Sequence, residues 1–397
     1  MNNVAPLNSP DQRGFALTRA NKKKIVFLSG TRADFSKLKS LINITQNSGQ
    51  YDVHVFVTGM HLNPLYGLTI EEIYRSGIQN IHPFINHETI EYMDRTLART
   101  INGFSEYIRD LNPDLIVVHG DRVEALAGAI VGSLNNVLVA HIEGGEISGT
   151  IDEHIRHSVS KMSHIHLVAN ESAKKILIQL GEHENSIFII GSPDLDLMMP
   201  NKLPKLEIVK SHYDITFKEY ALAMYHPVTT ELEQTGQNVT VFVNALLASG
   251  DNVIVIYPNN DPGSSEILNE YRRLEGKSNF RIYPSLRFEY FLTLLNNANY
   301  IIGNSSAGIR EAAYYGIPSV NVGSRQNGRS KYQSIFQSNN KEQEIATAIS
   351  LAKSYDNKSV EPNNYYGEGH SNDLFLDLLN SESLWSVDCQ KIFQERM

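Results

Sequence analysis

The sequence predicts an α/β protein made of two Rossmann-like domains facing across a cleft. Three observations carry that expectation. Short apolar runs rich in β-branched residues alternate with helical stretches, the pattern of buried parallel strands joined by crossover helices. The alternation breaks once, over residues 194–212, where Pro200, Pro204 and several lysines gather, and then restarts. Finally, 397 residues with 41% hydrophobic content exceed what one core usually holds.

Residues 1–21 are polar, carry Pro6, Pro10 and Gly14, and lack the apolar core of a secretion signal; they read as a flexible tail. The first domain is expected over 22–195. Its first strand, 24–29, runs through the turn Gly30-Thr31-Arg32-Ala33-Asp34 into a helix over 35–45 with apolar residues at helical spacing. A strand at 53–57 follows, then a loop into a helix over 63–77, with Tyr66 and Gly67 as candidates for a mobile lid. A short strand at 81–85 precedes a long amphipathic helix over 89–111, closed by Pro113. Two central strands, 115–118 and 137–140, flank a helix over 123–134 whose Ala and Gly let it pack close. Then come a helix at 152–162, a strand at 165–169, a helix at 171–180 and a strand at 187–190.

The second domain is expected over 196–373, with strands at 220–225, 252–257, 281–283, 300–302 and 319–322. Helices alternate with them at 239–249, 264–274, 288–297, 309–315 and 342–355. Residues 362–373 read as loop; 374–379 and 386–396 read as helical, and the segment 374–397 is expected to complete the first domain. Two such halves are the architecture of two-Rossmann (GT-B type) nucleotide-sugar glycosyltransferases.

The formal net charge is −9 and the sole basic run is 22–24, which argues against a nucleic-acid or membrane-surface partner. The single cysteine, Cys389, excludes an intrachain disulfide framework and a cysteine metal cluster, and fits a cytoplasmic protein. No apolar stretch reaches the length of a membrane span.

Open α/β sheets bind ligands beyond the carboxyl ends of their strands. The stretch 115–158 places three charged groups there: His119-Gly120-Asp121-Arg122, His141-Ile142-Glu143-Gly144-Gly145-Glu146, and 152–157. Asp121, Glu143 and Asp152 are the candidate acids, since carboxylates on separate elements can take a proton at one position and return one at another. The plainer alternative makes Asp121 and Arg122 a surface pair and Glu143 a loop cap. Arg156 and His157 are expected to orient the acids, with Glu146 a lesser candidate. His119 and His141 leave a metal reading open, but there is no HxxxH pair or cysteine set, and both could simply bond a neighbouring strand. No Gly-x-Ser-x-Gly elbow occurs in this stretch.

The turn after the first strand offers backbone N–H groups to an anion, and Arg32 and Lys37 could both reach a phosphate; otherwise Arg32 caps a sheet edge and Lys37 is solvated. Gly303-Asn304-Ser305-Ser306-Ala307-Gly308 reads as a strand-to-helix junction with Ser305 and Ser306 at a helix N-terminus suited to a diphosphate. Glu311, in the first turn, could accept from ribose hydroxyls; an ordinary capped helix is the alternative. His226, at another strand end, could donate to a phosphate. Asn259 and Arg287, beside the strand ends of the same half, complete the candidates for substrate binding.

Together these motifs resemble the bacterial UDP-N-acetylglucosamine 2-epimerase family over nearly the whole chain after the tail. The residues that carry the resemblance are 30–34, 119–125, 141–146, 149–158, Gly191-Ser192-Pro193-Asp194, His226-Pro227-Val228-Thr229 and 303–311. The non-hydrolysing branch typically has Gly-Thr-Arg-Pro-Glu and His-Val-Glu-Ala-Gly, and Glu where this chain has Asp152. Ala33-Asp34, Ile142-Glu143-Gly144-Gly145-Glu146 and Asp152 are therefore closer to the hydrolysing branch. The resemblance implies UDP held mainly by the second domain through Arg32, Lys37, His226, Ser305, Ser306 and Glu311, with Asp121, Glu143 and Asp152 acting on the sugar. It implies elimination of UDP to 2-acetamidoglucal, then hydration to N-acetylmannosamine, the start of sialic acid and capsule polysaccharide synthesis. It also implies a homodimer and no redox cofactor or obligatory metal. The rivals are a non-hydrolysing epimerase, a relative acting on a diacetamido-trideoxy UDP-sugar of the legionaminic acid pathway, a glycosyltransferase of the same fold, and a non-enzymatic UDP-sugar sensor.

Overall fold

The computed structural model describes residues 22–87, 92–148, 151–328, 332–356, 364–392 and 394. The tail 1–21, Gly149 and Thr150 of the quoted motif, and the outer parts of the expected elements 89–111, 362–373 and 386–396 lie outside the described residues.

Strands β1 (Lys24–Ser29), β2 (Asp52–Val57), β3 (Asn80–Pro83), β4 (Leu115–His119), β5 (Leu138–Ile142), β6 (Ile165–Val168) and β7 (Ile187–Ile189) make one sheet, ordered β3-β2-β1-β4-β5-β6-β7. Strands β8 (Ala221–Met224), β9 (Val253–Ile256), β10 (Phe280–Tyr283), β11 (Tyr300–Gly303), β12 (Ser319–Val322) and β13 (Ile335–Ser338) make a second, ordered β10-β9-β8-β11-β12-β13. Every paired neighbour is parallel. The strands are short; the inner ones are largely buried because helices cover both faces, while β3, β7, β10 and β13 are partly exposed. One face of the first sheet packs Phe27, Val55 and Val117 against Leu38, Leu41 and Ile42 of the helix Arg32–Asn47. The other packs Leu28, Phe56 and Val118 against Phe104 and Ala129. The second sheet is sandwiched the same way, with Phe242 and Val255 on one face and Leu292 and Ile301 on the other. The fold class is thus the one the alternation predicts.

Strand order reverses between β1 and β4 in the first sheet and between β8 and β11 in the second. At such a switch point the loops leave in opposite directions and a crevice opens at the strand ends. Gly303 closes β11 with φ +137°, and a Cβ there would stand 1.9 Å from the Met224 carbonyl oxygen, so glycine lets the two switch-point strands approach.

Three expectations are corrected. The stretch 309–315 is a four-residue helix, Glu311–Tyr314, preceded by a 3-10 turn at Ser306–Gly308. β13 was not expected from the sequence; its burial is partial and only Ile335 and Phe336 are apolar. The described part of 386–396 carries no helix. Lys391 Nζ there donates to the carbonyls of Ser160, Lys161 and Ser163 at 2.9, 2.9 and 2.7 Å, so tertiary contacts override helical pattern. Before it, the helix Ser371–Leu379 seats Phe375 edge-on against Phe27, centroids 6.1 Å apart, in the first sheet's core. No described helix is long and apolar enough to cross a membrane.

Candidate functional site

The two switch points face each other across one cleft, lined from the first sheet by Arg32, Lys37, His119, Asp121, Glu143, Asp152 and Arg156. His226, Asn259, Ser305, Ser306, Glu311 and Arg325 line it from the second. Of the expected site residues, the cleft lining lacks Arg287, His157 and the lesser candidate Glu146. The Arg287 side chain lies on a neighbouring groove, its Nε 3.7 Å from Glu72.

The turn after β1 does bind an anion, but the anion is its own. Asp34 accepts from the backbone N–H of Gly30 and Thr31 at 2.9 and 2.7 Å, while Thr31 caps the helix in return. Those donors are filled, and the side chain of Arg32 remains at the cleft wall. It donates to Ser285 Oγ at 2.6 Å, across the cleft, and pairs with Glu72 at 2.8 Å.

Glu143 follows β5 and is nearly buried. Its Oε1 accepts from Lys37 Nζ (2.6 Å), Arg310 Nη2 (2.6 Å) and Ser192 Oγ (3.0 Å); its Oε2 lies 3.2 Å from His119 Nε2. Burial alone would push this carboxyl up, but Arg310, Lys37 and His119 together hold it well below the usual carboxylate range. Its backbone takes φ +66°, a left-handed conformation costing a non-glycine residue about 1–2 kcal/mol, which those partners sustain. Lys37 is thus committed beneath the cleft, to Glu143 and, at 3.6 Å, to Asp194, and not to the nucleotide side expected for it.

The other two acids keep part of their side chains accessible, 24% for Asp121 and 21% for Asp152, and each pairs with an arginine. Arg156, rising from the helix Ile151–Met162, pairs with Asp121 and donates to Ser148 Oγ at 3.0 Å. Arg325, just past β12, donates to Asp152 at 3.1 Å. His157 pairs with Glu153 on its own helix at 3.6 Å, not with one of the three acids. His141 is a bridge: its Nε2 stands 2.8 Å from the Gly120 carbonyl and its Nδ1 3.0 Å from Ser160 Oγ. Burial pushes its imidazole down to about 3. Among the described residues no group of His, Cys, Asp and Glu could hold a metal ion.

On the opposite wall, the backbone N–H of Asn259 donates to His226 Nδ1 at 3.0 Å. Burial, with Arg325 and Arg122 nearby, pushes this imidazole well below its ordinary value. His226 is therefore neutral with its proton on Nε2, a hydrogen-bond donor. Asn304 clips the switch point, accepting from the His226 N–H at 2.6 Å and donating to its carbonyl at 2.8 Å. Ser305 Oγ accepts from Ala307 N at 3.3 Å, capping the 3-10 turn instead of a full helix. Glu311 is buried, and burial with Asp194 raises its carboxyl; its Oε2 has no hydrogen-bond partner among the described residues, so it can still take a donor.

Arg310, Arg325 and Ser192 went unrecognised as site residues in the sequence. Arg325 follows a strand end, the same signal used for the acids. Arg310 sits beside Glu311 in a motif already singled out, but its target lies on the other domain.

Two facing parallel sheets with a polar cleft between their switch points define the two-Rossmann class of nucleotide-sugar enzymes. The chain belongs to the UDP-N-acetylglucosamine 2-epimerase family, whose profile matches residues 43–380. It is 45% identical over 372 residues to a UDP-N-acetylglucosamine 2-epimerase of Neisseria meningitidis serogroup B, covering 94% of this chain and 98% of that one. It is 34% identical over 368 residues to a UDP-N,N'-diacetylbacillosamine 2-epimerase (hydrolyzing) of Legionella pneumophila, covering 92% and 97%. In fold it matches the Methanocaldococcus jannaschii UDP-GlcNAc 2-epimerase, solved with UDP-GlcNAc and UDP, at TM-score 0.77 and 20% identity over 90% of this chain and 99% of that one.

Proposed function

We propose that this chain is a hydrolysing 2-epimerase that converts UDP-N-acetylglucosamine and water to N-acetylmannosamine and UDP. The observation that carries the reading is that Asp121, Glu143 and Asp152 face His226, Ser305, Ser306 and Glu311 across a single cleft. The second wall suits UDP: the His226 Nε2–H, the serine hydroxyls and Arg32 for the diphosphate, the free face of Glu311 for ribose hydroxyls. The first wall suits the sugar. Support for hydrolysis comes from the Legionella relative's name and from the Ile142–Glu146 motif.

The C2 hydrogen is not acidic, so departure of the diphosphate leads. The C1–O bond breaks, its electrons leave with UDP, and a carboxylate takes the C2 proton to give 2-acetamidoglucal. Water oxygen then adds to C1 and gives up a proton to a carboxylate, while the C1–C2 double-bond electrons take a proton at C2 on the opposite face. Glu143, with its fixed partners, is an ionised anchor for the site. Asp121 and Asp152, each with an accessible edge on the cleft, suit the proton transfers. On this reading the reaction opens sialic acid synthesis, in a cytoplasmic homodimer.

The test is to incubate the full chain with UDP-N-acetylglucosamine and no acceptor. Equal amounts of free UDP and free N-acetylmannosamine are expected. UDP-N-acetylmannosamine without free UDP would make the enzyme non-hydrolysing; no turnover without an acceptor would make it a transferase or a sensor. The Legionella relative favours one second reading, a UDP-diacetamido-trideoxyhexose substrate, which a comparison of kcat/KM for the two sugars decides.

A further inference from the structure

Arg310 lies in the loop after β11, between Ser305–Ser306 and Glu311, yet its guanidinium, 5% exposed, crosses to the first domain. Its Nη2 is 2.6 Å from Glu143 Oε1 and also bonds Ser192 Oγ; its Nη1 is 3.0 and 2.8 Å from the two oxygens of Glu146. The Tyr366 ring lies beneath it, 4.4 Å from centroid to guanidinium carbon. The two nitrogens of one planar fork thus span two acids of the loop after β5.

We propose that Arg310 is a positioning residue that reaches across from the second domain to clamp Glu143 in place. The proposal rests on the functional reading above and adds to it a residue and a coupling. Glu143 meets Lys37 from the helix Arg32–Asn47, His119 at the end of β4, Arg156 from the helix Ile151–Met162 and Arg310 from the second domain, while Asp194 beyond β7 and Glu311 act on the same Lys37 and Arg310. Lys37, His119 and Arg156 belong to the first sheet's own helices and strand ends. Arg310 reaches the same carboxylate from the second domain, so the acid is held from both walls of the cleft.

The test compares R310Q and R310K with wild type in the full chain, reading UDP affinity by calorimetry and the pH profile of UDP release. R310Q should bind UDP within about threefold of wild type but turn over about 100-fold more slowly. Loss of the cation raises the pH at which Glu143 protonates, so the acid limb of kcat should move up by about one pH unit or more. R310K should restore that limb while kcat stays about 10-fold low, because one ammonium cannot serve both Glu143 and Glu146 as the fork does. An unmoved acid limb in R310Q, or UDP affinity falling in step with kcat, overturns the proposal. A double-mutant cycle of R310Q with E143Q, read by urea unfolding, works even if the wild type releases no UDP. Coupling of about 10-fold or more in the folding constant is expected, and additive effects sink the clamp. Failure of wild-type turnover alone would sink the functional reading and leave the clamp to the cycle.

Discussion

Nη2 of Arg325, on the second domain, lies 3.1 Å from Oδ2 of Asp152 on the first. Arg325 also reaches the Asn304 carbonyl at 3.3 Å, which ties it to the second switch point. Arg325→Gln should leave the fold intact and lower kcat/KM about 10–100-fold, since an acid held 1 Å out of place costs on that scale. Initial rates of UDP release measure it, and an unchanged kcat/KM would mean Asp152 needs no partner.

Asp121→Asn and Glu143→Gln should each lower turnover about 100–10,000-fold while UDP affinity, read by calorimetry, changes little. Glu143→Gln should also destabilise by about 3 kcal/mol, because it leaves Lys37 and Arg310 buried without their shared anion. Loss of UDP binding in either variant would reassign these acids to the nucleotide.

Run in deuterium oxide, the reaction should place deuterium at C2 of the product. Elimination surrenders the C2 proton to a carboxylate that exchanges with solvent before the return step. Mass spectrometry of the free sugar reads this directly, and protium at C2 would rule out the elimination route.

Away from the cleft, Glu182 is 1% exposed, with His166 Nε2 at 3.0 Å, Lys161 at 3.1 Å and Lys391 in contact. Burial alone would raise its carboxyl, but His166 and Lys391 hold it down to about 2, from an ordinary 4.5. A depressed folded pKa means stability that is present above pH 4.5 and lost as pH falls toward 2, worth roughly 3 kcal/mol. Urea unfolding from pH 7 to 2 should show this slope in wild type and a flatter one in Glu182→Gln. Lys391→Met should lose about 2 kcal/mol and free the C-terminal segment to proteolysis, since it strips three carbonyls of a charged donor.

Periodicity and strand-end rules made most of the fold legible, because parallel strands buried on both faces write continuous apolar runs such as Ile25–Leu28 and Leu115–Val118. β13 escaped because an edge strand with a polar Gln337 and Ser338 has no such run. The helix expected at 309–315 shrank because Ser305 caps a tight turn and Arg310 turns out of helical register to cross the cleft. For the site, strand ends pointed to the acids, which lie within the one stretch 115–158. They could not point to Lys37, Arg310 or Arg325 as those acids' partners. These pairings span 106, 167 and 173 residues; the first needs the first sheet folded, and the other two exist only once the two sheets face each other.

The arginines that line the cleft among the described residues, Arg32, Arg122, Arg156, Arg310 and Arg325, are all held by carboxylates. On the proposed function, a diphosphate entering there would meet cations that already have counter-ions, and Arg32 would trade Glu72 for it. Its net attraction is the difference between two sets of pairs, so affinity should respond weakly to added salt for so charged a ligand. On the proposed function, Glu72 returning to Arg32 as UDP departs would be the competitor that helps clear the product.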